Sequence, residues 1–282
     1  MQIFYILAAV LGIVLAVAFT IRYAVTHKHK TFRKLLLGCG TFLFSLMMGA
    51  VIYVNHYYKA DEKALAYLRN GTDTVTVSEI GGGYKFDGPG TEDLLIFYPG
   101  GKVEAEAYAP LLGSIAEQGV DCVLAVMPLR LSILNGNAAD SFLSLGYRHN
   151  YIGGHSLGGT TAAIYCNDHA EQLQGVILLA AFPTSKLNET LSCLSVYGSN
   201  DNVLNRKVYE KNRPYFPDGT RELVIEGGNH AMFGNYGEQN GDGAAAITRE
   251  EQQAQTAGAI AELILQRSDL PAAPEDVQES DG

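Results

Sequence analysis

The sequence predicts an α/β domain whose mostly parallel sheet is flanked by helices, preceded by two transmembrane helices. Three observations carry that expectation. After residue 90, six mostly apolar strand-length runs alternate with helical stretches, the pattern of a parallel sheet covered on both faces. One run ends in Gly153-Gly154-His155-Ser156-Leu157-Gly158-Gly159, which holds Gly-x-Ser-x-Gly, a strand-to-helix turn that lifts a serine above the sheet edge. Ahead of the domain stand two uncharged apolar runs, Ile3 to Ile21 and Leu35 to Val54. Each approaches the ~20 residues that a helix needs to cross a bilayer.

Taken in order, residues 1–60 read as a transmembrane hairpin with spans near 3–21 and 35–54. A cleaved signal peptide competes for the first span, but the run lacks a basic leading segment and is long for a signal core. The loop between the spans carries Arg22, Lys28, Lys30, Arg33 and Lys34 and no acid. Cytoplasmic loops concentrate such charge, so both termini and the domain are expected outside the cell, in a two-span membrane protein. Lys59, Lys63 and Arg69 also follow the second span, interleaved with Asp61 and Glu62.

Residues 61–73 read as a short linker helix and 74–267 as the domain. Thr74 to Ile80 alternates with period two, and Gly81-Gly82-Gly83 turns it into a second strand around Tyr84-Lys85-Phe86, a hairpin. The six further strands are expected at 94–98, 122–127, 151–152, 176–181, 194–197 and 222–225. Helices are expected at 107–118 and 157–166. Thr248-Arg249-Glu250-Glu251 is a capping box that opens a last helix with Ala254, Ala257, Ala261 and Ile264 on its apolar face. From Ser268 the chain is rich in Pro and acid, with Asp269, Glu275, Asp276, Glu279 and Asp281, and is expected to be disordered.

Composition narrows the chemistry. With 282 residues, 47% apolar and 18% charged, the chain buries a full core. A net charge of −10 without a basic stripe argues against nucleic acid. The four cysteines show no CxxC spacing and no histidine cluster, so no metal is expected; Cys122, Cys166 and Cys193 read as buried thiols. No phosphate loop or dinucleotide fingerprint appears, and no cofactor is expected.

A serine hydroxyl needs a base within reach, itself oriented by a third group. In an open parallel sheet such groups gather at the carboxyl ends of strands. Of seven histidines, His27, His29 and His56 belong to the hairpin, His149 precedes its strand, and His169 lies far along the helix that Ser156 starts. His230 follows a strand at its carboxyl end in Gly227-Gly228-Asn229-His230. Asp201 occupies the same kind of position after residues 194–197, giving the order Ser156, Asp201, His230. Asp218 is the fallback acid, in a plain turn before its strand. An oxyanion hole needs two backbone N–H groups. Leu157 at its helix start supplies one; Gly101 in Tyr98-Pro99-Gly100-Gly101-Lys102-Val103 is the choice for the other, with Lys102 as runner-up. Lys102, His155, Phe233 and Tyr236 are candidates for contact with substrate.

These motifs, with Met127-Pro128-Leu129 and Gly228-Asn229-His230-Ala231-Met232-Phe233-Gly234, resemble the α/β-hydrolase superfamily. More narrowly they resemble its bacterial fifth family, near dienelactone hydrolases and carboxylesterases, over roughly residues 75–267. The family's usual His-Gly in the oxyanion loop is Pro99-Gly100 here. The resemblance implies a serine esterase acting on a small-molecule or envelope ester. Thioesterase, peptidase and transacylase chemistry remain open beside it, as does a retired hydrolase fold that only binds. Residues 182–190 are too short for a cap domain, so an open site is expected.

Overall fold

The structure is a computed structural model that describes residues 2–27 and 31–268. Lys28 and Lys30 of the basic loop and the acidic end after Ser268 lie outside the described residues. The chain divides into two compact units, one ending at Tyr57 and one beginning at Tyr58.

The first unit is two helices, α1 (Gln2–Thr26) and α2 (Thr31–Asn55). At 1.5 Å per residue each is roughly 37 Å long, enough to cross the hydrocarbon core of a bilayer. Leu7–Thr26 and Thr31–Asn55 have a mean hydropathy of 2.1 and pass for spans by length and composition. The two helices pack on each other with Gly12 against Phe44. Their polar groups find partners locally: the Thr20 and Thr41 hydroxyls meet each other, each also within reach of a carbonyl one turn back, Ala16 and Leu37. One of them donates to its carbonyl and the other to its partner hydroxyl or its carbonyl.

The second unit opens with a strap, Tyr58 to Asp61, and then α3 (Glu62–Asn70), capped by the Asp61 carboxylate on the Ala64 amide. The sheet has eight strands: β1 (Thr76–Ile80), β2 (Gly83–Asp87), β3 (Asp93–Tyr98), β4 (Asp121–Ala125), β5 (His149–His155), β6 (Gly175–Leu179), β7 (Ser192–Gly198) and β8 (Arg221–Ile225). Their order across the sheet is β1-β2-β4-β3-β5-β6-β7-β8. The β1–β2 hairpin turns at Gly82, at φ 87°, and pairs antiparallel to β4; from β4 to β8 every pairing is parallel. All eight strands lie where the sequence places them. β5 runs longer than expected at both ends: His149, read as preceding the strand, and Asn150 pair with Asp93 and Leu94 of β3, and Gly153 and Gly154 still pair with β3 and β6.

Helices cover both faces. α4 (Ala109–Ala116), α8 (Arg249–Ser268) and α3 bury one face, around Leu95, Phe97, Leu111, Ile115, Ile260 and Ile264. α6 (Leu157–Asp168), with α5 (Asp140–Leu143) and α7 (Arg206–Asn212), buries the other, around Ile96, Ile152, Tyr165 and Tyr209. The expected helix at 107–118 is a 3₁₀ turn (Ala105–Tyr108) followed by α4, since Pro110 suits a first helical turn and not an interior. The capping box forms, Thr248 Oγ1 accepting from the Glu251 amide and Glu251 Oε2 from the Thr248 amide. On α8, Ala257, Ala261 and Ile264 are buried as expected; Ala254 is exposed, and Gln252, Thr256 and Ile260 are fully buried as well. The polar pair Gln252 and Gln253 turns inward because both side chains find partners there.

Between β6 and β7 residues 180–191 form no helix, so nothing is inserted there over the sheet's carboxyl edge. Backbone packs closely on backbone at that edge. A Cβ on Gly158 would lie 2.2 Å from the Tyr98 carbonyl oxygen and 2.4 Å from that of Pro99. Backbone cannot yield as a flexible side chain can, so Gly158→Ala is expected to cost about 3 kcal/mol or more. Thermal denaturation of the variant would test this; a melting temperature within two or so degrees of wild type would contradict it.

Candidate active site

Ser156 sits between β5 and α6 with φ 52° and ψ −119°, a sparsely populated conformation for a residue with a side chain, costing about 1–3 kcal/mol. Its amide bonds the Leu179 carbonyl at 2.8 Å and its carbonyl takes the Thr160 amide at 3.1 Å. Those two bonds hold the serine in the turn. Close approach on both sides demands glycine: a Cβ at Gly154 would meet Gly158 and the Tyr98 carbonyl at 2.6 Å.

His230 and Asp201 come together at the same edge. Asp201 follows β7 and His230 follows β8; His230 Nδ1 lies 2.8 Å from Asp201 Oδ2, with both side chains at most 2% exposed. A carboxylate can only accept, so Nδ1 carries the proton and Nε2 is left with its lone pair. The other carboxylate oxygen, Oδ1, accepts from the Val203 and Leu204 amides at 2.9 and 2.7 Å. Every lone-pair direction that matters for orienting the acid is therefore engaged. The fallback, Asp218, is exposed in its turn before β8, where its amide bonds Glu189. His149 is paired with Asp93 at the amino end of β5, and His169 stacks on Tyr165.

Residues not singled out by sequence hold His230 in place. Gln252 clamps the adjacent Asn229 at both ends, its Oε1 accepting from the Asn229 amide at 3.0 Å and its Nε2 donating to the Asn229 carbonyl at 2.8 Å. Asp242 accepts from the Ala231 amide at 2.9 Å, and Asn229 Oδ1 from the Met232 amide at 3.1 Å. The sequence signal that could have found this clamp is the glutamine pair Gln252-Gln253 one turn into the last helix.

His155 is buried and does not line an opening. Its ring lies 4.4 Å from that of His230 and 5.4 Å from that of Phe233. This contact brings the His230 ring against the residue next to Ser156. Phe233 is fully buried and Tyr236 nearly so, its ring 5.5 Å from Tyr58 and 6.4 Å from Tyr108. Three of the residues expected to touch substrate are thus buried, His155 against His230, Phe233 against His155 and Tyr236 against Tyr58 and Tyr108.

Tyr108, also unremarked in the sequence, joins the serine turn to the glycine loop. Its hydroxyl accepts from the Gly100 amide at 3.1 Å and lies 2.8 Å from His155 Nδ1. The hydroxyl thus bridges the Gly100 amide and the His155 ring, the His155 tautomer setting the direction of the second bond. In the glycine loop, Pro99 has no N–H, Lys102 (φ 62°) gives its amide to the Arg130 carbonyl at 2.8 Å, and Val103 gives its own to Gly100. Gly101 packs against Leu157, where a Cβ would stand 3.0 Å from Leu157 Cδ2. The two amides expected to form an oxyanion hole therefore belong to touching residues, and the Lys102 amide is committed elsewhere.

Burial, then the neighbouring His230, hold the His155 imidazole well below its ordinary value, keeping it neutral. The folded chain refuses a proton that the unfolded chain takes up below about pH 6.5. Stability is therefore complete above that pH and falls as the pH drops towards the depressed folded value, by up to ~1.4 kcal/mol per pH unit. Melting curves between pH 7.5 and 5 should be flatter for His155→Gln than for wild type; parallel curves would speak against a neutral His155.

A family model described as the alpha/beta hydrolase family matches residues 94–254, more than half of the chain, and the chain belongs to that family. It is a hydrolase of the α/β class. Among solved structures, the α/β hydrolase MGS-MChE2, from the metagenome of lagoon sediments of Mar Chica in Morocco, is similar with 15% identity and a TM-score of 0.51, covering 68% of this chain and 99% of its own. A dienelactone hydrolase from Anabaena variabilis is 12% identical, with a TM-score of 0.48 and coverage of 68% and 96%. A carboxylesterase from Mesorhizobium loti is 14% identical, with a TM-score of 0.46 and coverage of 67% and 99%. At these identities the likeness is one of fold. No curated protein matches the chain.

Proposed function

We propose that this protein is a membrane-anchored serine hydrolase that cleaves carboxylic ester bonds with Ser156, His230 and Asp201. The observation that carries the proposal is the buried 2.8 Å hydrogen bond between His230 and Asp201, beside the strained turn that presents Ser156. Ser156 attacks the ester carbonyl while His230 Nε2 takes its proton; Asp201 holds the tautomer and stabilises the imidazolium. The amides of Gly101 and Leu157 receive the charge on the carbonyl oxygen, the second aided by the amino-terminal end of α6. His230 then protonates the leaving alcohol, and a water molecule, activated in the same way, releases the acid.

The strand ends bring these groups to one edge with no inserted helix between β6 and β7, which favours an accessible site. Small-molecule or envelope esters fit that access. We take residues 1–57 as the anchor and the unit from Tyr58 as the catalytic domain. The basic loop between α1 and α2 favours a cytoplasmic position for that loop and an extracytoplasmic one for the domain.

Ser156→Ala should abolish labelling by a fluorophosphonate probe and lower hydrolysis of p-nitrophenyl acetate roughly a thousandfold or more. Asp201→Asn, which permits the wrong histidine tautomer, should lower kcat by about a hundredfold to ten-thousandfold with the fold intact. Rates unchanged in Ser156→Ala would remove the proposal, and parallel thioester and peptide panels would show which acyl bond is preferred. Gln252→Leu is expected to reduce kcat more than KM by freeing the Asn229–His230 loop, with a loss of about 1–3 kcal/mol in stability; an unaltered kcat would show the clamp to be irrelevant to catalysis.

A further inference from the structure

The segment after β4, residues 126–134, carries four large apolar side chains into solvent. Val126 is 44% exposed, Leu129 52%, Ile133 64% and Leu134 53%. Isolated exposed apolar residues need no explanation, but four within nine positions form a patch. The patch is held rigidly. Leu129 and Arg130 adopt φ 50° and 60° in succession, two strained residues that fix the direction of Leu129. The Arg130 carbonyl accepts the Lys102 amide at 2.8 Å, tying the patch to the Gly101 loop. Ser132 Oγ lies 2.8 Å from Thr161 Oγ1, tying it to the first turns of α6 beyond Leu157. Both halves of the proposed oxyanion hole are thus linked to this lip.

A cleft of about 240 Å³ runs under the lip, its apolar wall formed by Pro99, Val103, Val126, Met127 and Leu129. Ala105, Glu104, Glu106 and Arg130 also line it; Glu104 is engaged with the Ala60 amide and Glu106 with the Tyr84 hydroxyl. Pro99 and Val103 flank Gly101 in the chain, so the cleft lies beside the glycine loop. Val126 and Leu129 belong both to the cleft and to the exposed lip.

Chain connectivity supplies the occupant. Val103 in the cleft wall is bridged by Tyr58, three residues beyond the last residue of α2. Two bonds make that bridge, from the Tyr58 amide to the Lys102 carbonyl and from the Glu104 amide to the Tyr58 carbonyl. Only His56 and Tyr57 separate a bilayer-length helix from the cleft wall. We propose that the 126–134 lip contacts the bilayer surface and admits the acyl chain of a membrane-borne ester to this cleft, an inference that rests on the ester-hydrolase reading above. The substrate class is a lipid-phase ester taken without a moving lid, the chain entering past Leu129 while its carbonyl reaches Gly101 and Leu157.

The test uses the full chain in phosphatidylcholine nanodiscs, with p-nitrophenyl palmitate dissolved in the disc and p-nitrophenyl acetate in the buffer. The double variant Ile133→Glu, Leu134→Glu is expected to lose about tenfold or more in rate on the palmitate ester and to stay within about twofold on the acetate ester, since both positions are exposed and outside the catalytic groups. Equal losses on both esters, or no loss on palmitate, would overturn the proposal. A second measurement does not depend on catalysis. A bimane on Ile133→Cys, in a Cys39→Ser background that removes the exposed native thiol, should be quenched by doxyl-labelled lipid; quenching by aqueous iodide alone would overturn the lip's contact with lipid. A wild type inert towards both esters, with bimane quenched by lipid, would remove the hydrolase reading and support the contact.

Discussion

The structure of the catalytic unit depends on how closely backbone can approach backbone at Gly154 and Gly158. β3 ends with the Tyr98 and Pro99 carbonyls pressed against those two residues, at separations that leave no room for a Cβ. The approach lets β5 turn sharply into α6, and the sharpness forces Ser156 to φ 52°. The strain of about 1–3 kcal/mol is offset by the sheet on one side, where Leu179 binds the Ser156 amide, and by the start of α6 on the other. The same approach sets the Gly100–Gly101 loop beside Leu157, so one steric condition positions the nucleophile candidate and both amides proposed to stabilise its reaction.

Around that turn the site is held by polar groups buried away from water. Asp201 is engaged on both oxygens, His230 by Asp201, and Asn229 by Gln252. Tyr108 bridges the glycine loop and His155. In a low-dielectric interior a polar group left without its partner costs far more than the bond nets. Such a network therefore admits few alternative arrangements, and it holds the His230 ring against His155, which packs in turn on Phe233. The strap from Tyr58 to Asp61 belongs to the same system, bonding the glycine loop through Lys102 and Glu104 and the histidine loop through Asn235.

Most of the fold was legible because its signals are local. Apolar runs bounded by turn residues located all eight strands, and Thr248 with Glu251 located the start of α8. The candidates Ser156, Asp201 and His230 could be read because each sits at a strand's carboxyl end, a position that periodicity reveals. The direction of buried side chains was harder. Ala254 was placed inward by an apolar rule, yet Gln252 and Gln253 face the core since each meets a partner from the histidine loop. His155, Phe233 and Tyr236, expected to meet substrate, are buried, the first of them against the His230 ring.

By itself the sequence determined the class of sheet, the order of its elements, two bilayer-length apolar helices and the three residues that the turn chemistry singles out. These follow from composition and period, which act between near neighbours along the chain. Only the tertiary structure decided which loop amides stay uncommitted, that Tyr108 and Gln252 hold the site, and that the residues after α2 are bonded into the cleft wall. Those facts depend on contacts between segments far apart in sequence, such as Gln252 with Asn229 and Tyr58 with Val103. No pattern along the chain encodes them until the sheet brings the segments together.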